Sequence, residues 1–224
     1  LNAVGGLIRT QLGLTDQSNQ LRPRARESLP VETLTGKPHS PRNVVLVILE
    51  SVRADAACID HDPECQRTGA SNRLLPKRFG LNQMRSLDSS TAISLAVLWA
   101  GLLPTEDRET LHTWPLLFDY AHAAGWDTAY WTSQNMMFGN ARLWVKNLGV
   151  SKFIAATDLD PTADLDMGAP EHLLADHVNR EIGGLREPFF AVIHLSNVRY
   201  PYHIDRDGPL PAWSTAMHQP VPRL

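Results

Sequence analysis

The feature that most constrains the fold of this chain is an unbroken apolar run that ends in an acid. Residues 43 to 49 read Asn-Val-Val-Leu-Val-Ile-Leu, and Glu50 follows directly. A continuous β-branched run of this length is typical of a strand that is buried on both faces of a parallel sheet. We therefore predict a core strand over these residues, with Glu50 at its carboxyl end.

Later segments alternate between strand and helix patterns. Residues 127–132 and 189–195 are rich in aromatic and β-branched side chains, which predicts two further strands. Residues 110–124 and 171–182 place apolar side chains at helical spacing. This alternation predicts an α/β fold, a three-layer sandwich with a mostly parallel central sheet.

The division of the chain is expected to fall near residue 42. Residues 1–42 show scattered Gly, Pro, Arg and Ser with little periodicity, which indicates a linker or a surface wrap. The 224 residues fit one large α/β domain, and we expect residues 43–224 to form the N-terminal portion of a catalytic domain. Because the sequence begins at Leu1, we expect any signal peptide or membrane anchor to lie upstream.

Charge and hydropathy restrict the partners. The formal net charge is −3, so the broad cationic surface that attracts nucleic acid is absent, and we expect no nucleic-acid partner. The longest nearly unbroken apolar run, from Leu95 to Leu103, falls well below the roughly 20 residues that cross a bilayer.

The two cysteines, Cys58 and Cys65, lie close together in a polar stretch. A local disulfide suits this spacing and an oxidising compartment, although two reduced surface thiols fit as well. A zinc site formed with His61 is a third reading, but it lacks a second ligand pair at the usual spacing.

Two residues could carry chemistry. Ligands of parallel sheets bind beyond the carboxyl ends of the strands, where Glu50 is predicted to lie. Its carboxylate must be hydrated, paired with a group such as Arg53, or bound to a cation. Thr91 opens an apolar helical segment, where its hydroxyl either caps the helix or acts as a nucleophile in the positive field of the helix terminus.

These segments resemble the sulfatase and alkaline-phosphatase superfamily. Residues 43–55, Asn-Val-Val-Leu-Val-Ile-Leu-Glu-Ser-Val-Arg-Ala-Asp, are similar to its opening strand, and residues 90–104 to the segment that carries its nucleophile and ends Gly-Leu-x-Pro. Further similarities are the Ala-Gly-Trp-Asp-Thr step at residues 124–128, the Pro-Phe-Phe strand at 188–190 and the Tyr-Pro-Tyr at 200–202. The likeness is strongest to bacterial phosphoethanolamine transferases and lipoteichoic acid synthases.

The resemblance implies a function and a site. Glu50 and Thr91 would bind a divalent metal, zinc or manganese, with magnesium or calcium as alternatives, and Thr91 would be the nucleophile. A phospho head group would pass from a phospholipid donor, through a covalent threonine, to an envelope glycan or lipid. The domain would face the periplasm from the cell membrane. Arg53 would contact the anionic substrate, unless it forms a surface salt bridge.

Departures from the family pattern leave other readings open. The family completes its metal site with an Asp-His pair and a further His, and this sequence reaches Leu224 without them, so we expect the C-terminal part of the domain to be missing. Arg199 could bind the phosphate where relatives carry a His, or it could be a solvated loop residue. His203 is a substitute ligand or an ordinary loop histidine, and His194 is expected to be a satisfied core residue.

Two other functions therefore stay open. The chain could be a sulfatase-like hydrolase of phosphate or sulfate esters, or a catalytically inactive envelope regulator with the same fold. Arylsulfatase chemistry is disfavoured, because it needs a Cys or Ser within Cys/Ser-x-Pro/Ala-x-Arg, and the segment that begins at Thr91 lacks this pattern.

Overall fold

The computed structural model shows a parallel four-stranded sheet in the order β1-β4-β2-β3. The structure describes residues 42–136, 148–163 and 168–196, apart from residues 59, 61, 66, 68 and 82, together with Val31 and Val198. The strands are β1 (Val44–Leu49), β2 (Asp127–Thr132), β3 (Lys152–Ile154) and β4 (Phe189–Leu195). Short β3 follows no clear pattern in the sequence and was not predicted.

Six α-helices connect the strands in the described part of the chain. Their bounds are α1 (Gly69–Leu74), α2 (Thr91–Ala100), α3 (Arg108–Thr113), α4 (Leu117–Ala123), α5 (Ala156–Leu159) and α6 (Glu171–Glu181). Short 3-10 turns occupy Ala54–Ala56 and Ile182–Gly184. None of the described helices is long and apolar enough to cross a membrane.

The helices cover both faces of the sheet. On one face, α2 and α4 bury Trp99 and Phe118 against Tyr130 of β2 and Phe190 of β4. On the other face, Leu174 of α6 packs against the buried side chains of β2 and β4 that point away from the first face. The predicted α/β sandwich with a parallel sheet is therefore confirmed.

Strand β1 differs from its prediction. It pairs only with β4 and forms one edge of the described sheet. Leu46 and Ile48 pack against the core, whereas Val45, Val47 and Leu49 are exposed. The prediction that β1 is buried on both faces is wrong for the described residues, and the central position belongs to β4 instead.

The helix predicted over residues 110–124 is also different, because it is two helices. Trp114 has extended backbone angles, φ −74° and ψ 149°, and separates α3 from α4. Pro115 causes the break, since the ring of a proline disfavours the helical conformation of the residue before it. The apolar spacing continued across the break and concealed it.

Candidate active site

Glu50 lies at the carboxyl end of β1, where the chain turns sharply. Its backbone N–H donates to the carbonyl of Leu195 at 2.9 Å, which extends the pairing with β4 by one residue. Ser51 then adopts a left-handed conformation with φ 62°, which is costly for a residue with a side chain; strained residues of this kind are concentrated at functional sites. The side chain of Glu50 is only 12% exposed, so its carboxylate needs polar partners.

The first partner is Thr91, the first residue of α2. Its hydroxyl Oγ1 donates to Glu50 Oε1 at 2.8 Å across 41 residues of sequence. Ser90 occupies the N-cap position without a capping hydrogen bond from its side chain. The Thr91 hydroxyl is thus directed at the carboxylate, and the capping interpretation does not describe it.

The second partner is His194, which is fully buried in β4. Its Nε2 lies 3.2 Å from Glu50 Oε2, and its Nδ1 lies 3.0 Å from Thr132 Oγ1 and 3.2 Å from the hydroxyl of Tyr130. Thr132 Oγ1 already accepts the N–H of Gln134 at 3.0 Å, so its own proton is available for Nδ1. A neutral imidazole would then carry its proton on Nε2 and donate it to Glu50.

His194 is the site residue whose role sequence reasoning missed. It is a satisfied core residue, as expected, but one of its hydrogen bonds leads to Glu50. One feature could have indicated this role: His194 lies one residue before the end of β4, where it pairs with Thr132 of β2. Burial raises the pKa of Tyr130, the other neighbour of Nδ1, so this phenol stays protonated.

Arg53 does not pair with Glu50. Its guanidinium forms two hydrogen bonds with Asp55, Nε to Oδ1 at 2.9 Å and Nη2 to Oδ2 at 2.5 Å. This ion pair is exposed; it raises the pKa of Arg53 and lowers the pKa of Asp55. The structure therefore shows the surface salt bridge that was the alternative to substrate binding.

The remaining predicted site residues fall into two groups. Cys58 and Cys65 are joined by a disulfide, so neither sulfur is available for the alternative zinc site. Arg199 and His203 lie outside the described residues, and their proposed substrate contacts stay predictions.

The donor set at Glu50 fits part of a divalent metal site. A carboxylate and a hydroxyl that already approach to 2.8 Å offer two oxygen ligands of the kind that hard or borderline cations bind. Protein zinc sites use three or four protein ligands, and the described residues contain no group of three or more His, Cys, Asp or Glu that could hold an ion. The described residues would thus supply one side of a site.

The comparisons with known proteins define the class. Residues 42–208 match the family model named Sulfatase, which is well over half of the chain, and the chain therefore belongs to the sulfatase family. No curated protein matched the chain by sequence.

Two solved structures share the fold. One is the C-terminal periplasmic domain of EptC from Escherichia coli in complex with zinc, with 18% identity and a TM-score of 0.59. The other is the integral membrane protein EptA from Neisseria meningitidis, a lipooligosaccharide phosphoethanolamine transferase, with 19% identity and a TM-score of 0.55. The alignments cover 86% and 87% of this chain, but only 57% and 35% of the two neighbours, so this chain corresponds to part of each.

Proposed function

We propose that this chain carries the nucleophile side of a metal-dependent transferase that moves a phospho head group, of the phosphoethanolamine or phosphoglycerol type, in the cell envelope. The observation that carries the proposal is the 2.8 Å hydrogen bond from Thr91 Oγ1 to Glu50 Oε1. Membership of the sulfatase family and the shared fold of EptA and EptC support it.

The geometry suits Thr91 as a nucleophile. Its hydroxyl lies in the first turn of the ten-residue helix α2, whose positive terminus favours an alkoxide and then an anionic adduct. Glu50 Oε1 accepts a hydrogen bond from the Thr91 hydroxyl, which fixes the direction of the lone pairs on Thr91 Oγ1. A divalent cation held by Glu50 and Thr91 would lower the pKa of the hydroxyl and neutralise charge on the transferred group.

The proposed reaction has two steps. In the first, Thr91 Oγ1 attacks phosphorus, the oxygen–phosphorus bond to Thr91 forms, and the bond to the diacylglycerol oxygen breaks as that oxygen takes up the proton that the Thr91 hydroxyl releases. In the second, a hydroxyl of an envelope lipid or glycan attacks the phosphothreonine. The acceptor then carries the head group, and Thr91 regains its proton.

His194 acts in this scheme as a positioning residue. Its Nε2 contacts Glu50 Oε2, the carboxylate oxygen that does not contact Thr91, while Thr132 fixes the other side of the ring. Both carboxylate oxygens are thereby held, which limits rotation of the Glu50 side chain. Positioning groups around a ligand carboxylate commonly tune metal affinity.

The test is transfer by the whole protein from a phospholipid labelled in its head group. Thr91→Ala is expected to lower the transfer rate by about 10³-fold or more and to abolish the adduct found on residue 91 by mass spectrometry. Thr91→Ser keeps a hydroxyl and should retain a measurable rate.

Ser90→Ala is the matched control, because the neighbouring hydroxyl makes no capping bond and should not be needed. Unchanged transfer in Thr91→Ala would reject the nucleophile. Rapid hydrolysis of aryl phosphates or sulfates without lipid transfer would identify a hydrolase instead.

A further inference from the structure

The segment that leads from the disulfide loop to Thr91 has an unusual distribution of apolar side chains. Residues 73–87, here called the basic-apolar segment, present six large apolar side chains to solvent: Leu74, Leu75, Phe79, Leu81, Met84 and Leu87. Phe79 is 95% exposed. Apolar side chains that are exposed singly are ordinary at a protein surface, whereas a concentration of them in one short segment is typical of an interaction surface.

The interior of this region is polar instead. Asn72, 3% exposed, contacts the backbone carbonyls of Asp62 and Cys65 through its amide nitrogen. The guanidinium of Arg78 donates to Asn72 Oδ1 at 2.6 Å and to the carbonyl of Cys58 at 3.0 Å. A polar framework closed by a disulfide therefore supports the segment from within, and the apolar side chains face outward.

The charge of the segment points to one kind of partner. No Asp or Glu occurs between Glu64 and Asp88, whereas the segment contains Arg73, Lys77 and Arg85 in addition to Arg78, whose guanidinium is held in the polar framework. The chain as a whole carries a net charge of −3, so this is a local concentration of positive charge. Basic side chains interleaved with Leu, Met and Phe are typical of segments that lie in the interface of an anionic bilayer.

The segment is also joined firmly to the candidate active site. Ser86 Oγ donates to the carbonyl of Asp88 at 2.6 Å, and Ser94 Oγ of α2 donates to the same carbonyl at 3.1 Å. The N–H of Ser90 donates to Asp88 Oδ1 at 2.7 Å. Leu87 lies four residues before Thr91, so a bilayer at Leu87 would be within about 14 Å of the nucleophile along the chain.

We propose that the basic-apolar segment docks on an anionic phospholipid surface and brings Thr91 to the head groups. This inference rests on the proposed function and adds to it the surface of the chain that would contact the bilayer. Phe79 and Leu81 enter the head-group region, and Arg73 and Lys77 contact lipid phosphates.

The test is co-sedimentation of the 224-residue chain with vesicles of phosphatidylglycerol and phosphatidylethanolamine. Phe79→Ser/Leu81→Ser is expected to lower the partition coefficient about tenfold or more. Leu103→Ser is the matched control, since Leu103 is 65% exposed, close to the 68% of Leu81, and lies beyond the other end of α2. It should bind like the wild type.

The charge contribution is tested separately. Arg73→Glu/Lys77→Glu should lose about tenfold in binding at low salt, and Arg180→Glu, at an exposed residue of α6, should lose none. Vesicles of phosphatidylcholine alone should bind the wild type more weakly. Equal binding of wild type and both segment variants would overturn the proposal.

Two further outcomes separate this inference from its alternatives. If the wild type does not bind vesicles and Phe79→Ser/Leu81→Ser instead converts a dimer to a monomer, the surface is an interface between two copies of this chain. The proposal would then be wrong. Thr91→Ala should bind vesicles normally, so loss of transfer with intact binding tests the nucleophile alone. Transfer from detergent-solubilised lipid without any vesicle binding would reject the docking surface alone.

Discussion

At the residue scale, the Glu50 carboxylate is held from both sides. Thr91 contacts one oxygen and His194 the other, at 2.8 and 3.2 Å. Thr91 is 41 residues and His194 is 144 residues away from Glu50 in the sequence. The three residues meet because the ends of parallel strands and of the helix that follows lie at the same edge of the sheet. A carboxylate fixed in this way loses little further conformational entropy when it binds a cation or a proton.

The role of His194 can be tested by substitution. In the whole protein, His194→Ala should weaken binding of the proposed divalent metal, tested with zinc, about 10–100-fold by competition with a chelator, because Glu50 Oε2 loses its contact with Nε2. His194→Gln should stay within a few-fold of the wild type, since its amide nitrogen reaches about as far as Nε2. His122→Ala, an exposed histidine of α4, should leave zinc affinity unchanged.

A purely structural role for His194 makes a different prediction. In that case His194→Ala would lower the free energy of unfolding but leave the zinc dissociation constant of the folded fraction unchanged. That result would remove His194 from the site and leave the pair of Glu50 and Thr91 as it stands.

At the scale of elements, the sequence correctly predicted the helices and strands that have a long hydrophobic pattern. It did not predict features that depend on a few residues. The runs that became β2 and β4 and the apolar stripe of α6 were recognised with nearly correct ends. Strand β3 has only three residues, too few for a period to show, and Pro115 outweighed a helical spacing that crossed it.

The start of α4 allows a matched test of helix-end hydrogen bonds. Asp119 Oδ2 accepts the N–H of Leu116 at 2.7 Å in a buried site, and the exposed Asp158 accepts the N–H of Ala155 at 2.9 Å in a part-buried site at the start of α5. Asp119→Ala should lower the free energy of unfolding by about 1–3 kcal/mol, because it leaves a buried donor without its carboxylate.

Asp158→Ala should cost about 1 kcal/mol or less, since water can replace an exposed carboxylate. Chemical denaturation of both variants measures the difference. Equal losses would show that burial of Asp119 does not matter for α4.

At the scale of the whole molecule, the candidate site could be predicted in part. Glu50 and Thr91 were singled out because each sits at the end of a strongly patterned element, but their roles as metal ligand and nucleophile came from the family resemblance and stay predictions. His194 was not, since a polar residue inside an apolar strand reveals its partner only when the neighbouring strands are known. The same limit applies to β1, whose sequence carries no information on which of its edges is paired.

The core that supports the site is an aromatic cluster, and its contribution to the free energy of unfolding can be measured. Trp99 of α2 is fully buried and packs edge-on against Phe118 and Tyr130, with ring centroids 5.5 and 4.8 Å apart. Trp99→Ala should lower the free energy of unfolding by about 3–5 kcal/mol, whereas Trp114→Ala, at a residue that is 45% exposed, should cost about 1 kcal/mol or less. Because Thr91, the proposed metal ligand, begins the same helix, the surviving folded fraction of Trp99→Ala should also bind the proposed metal, tested with zinc, more weakly. Thermal unfolding and chelator competition on the two variants separate these effects, and equal destabilisation of both would contradict the assignment of Trp99 to the supporting core.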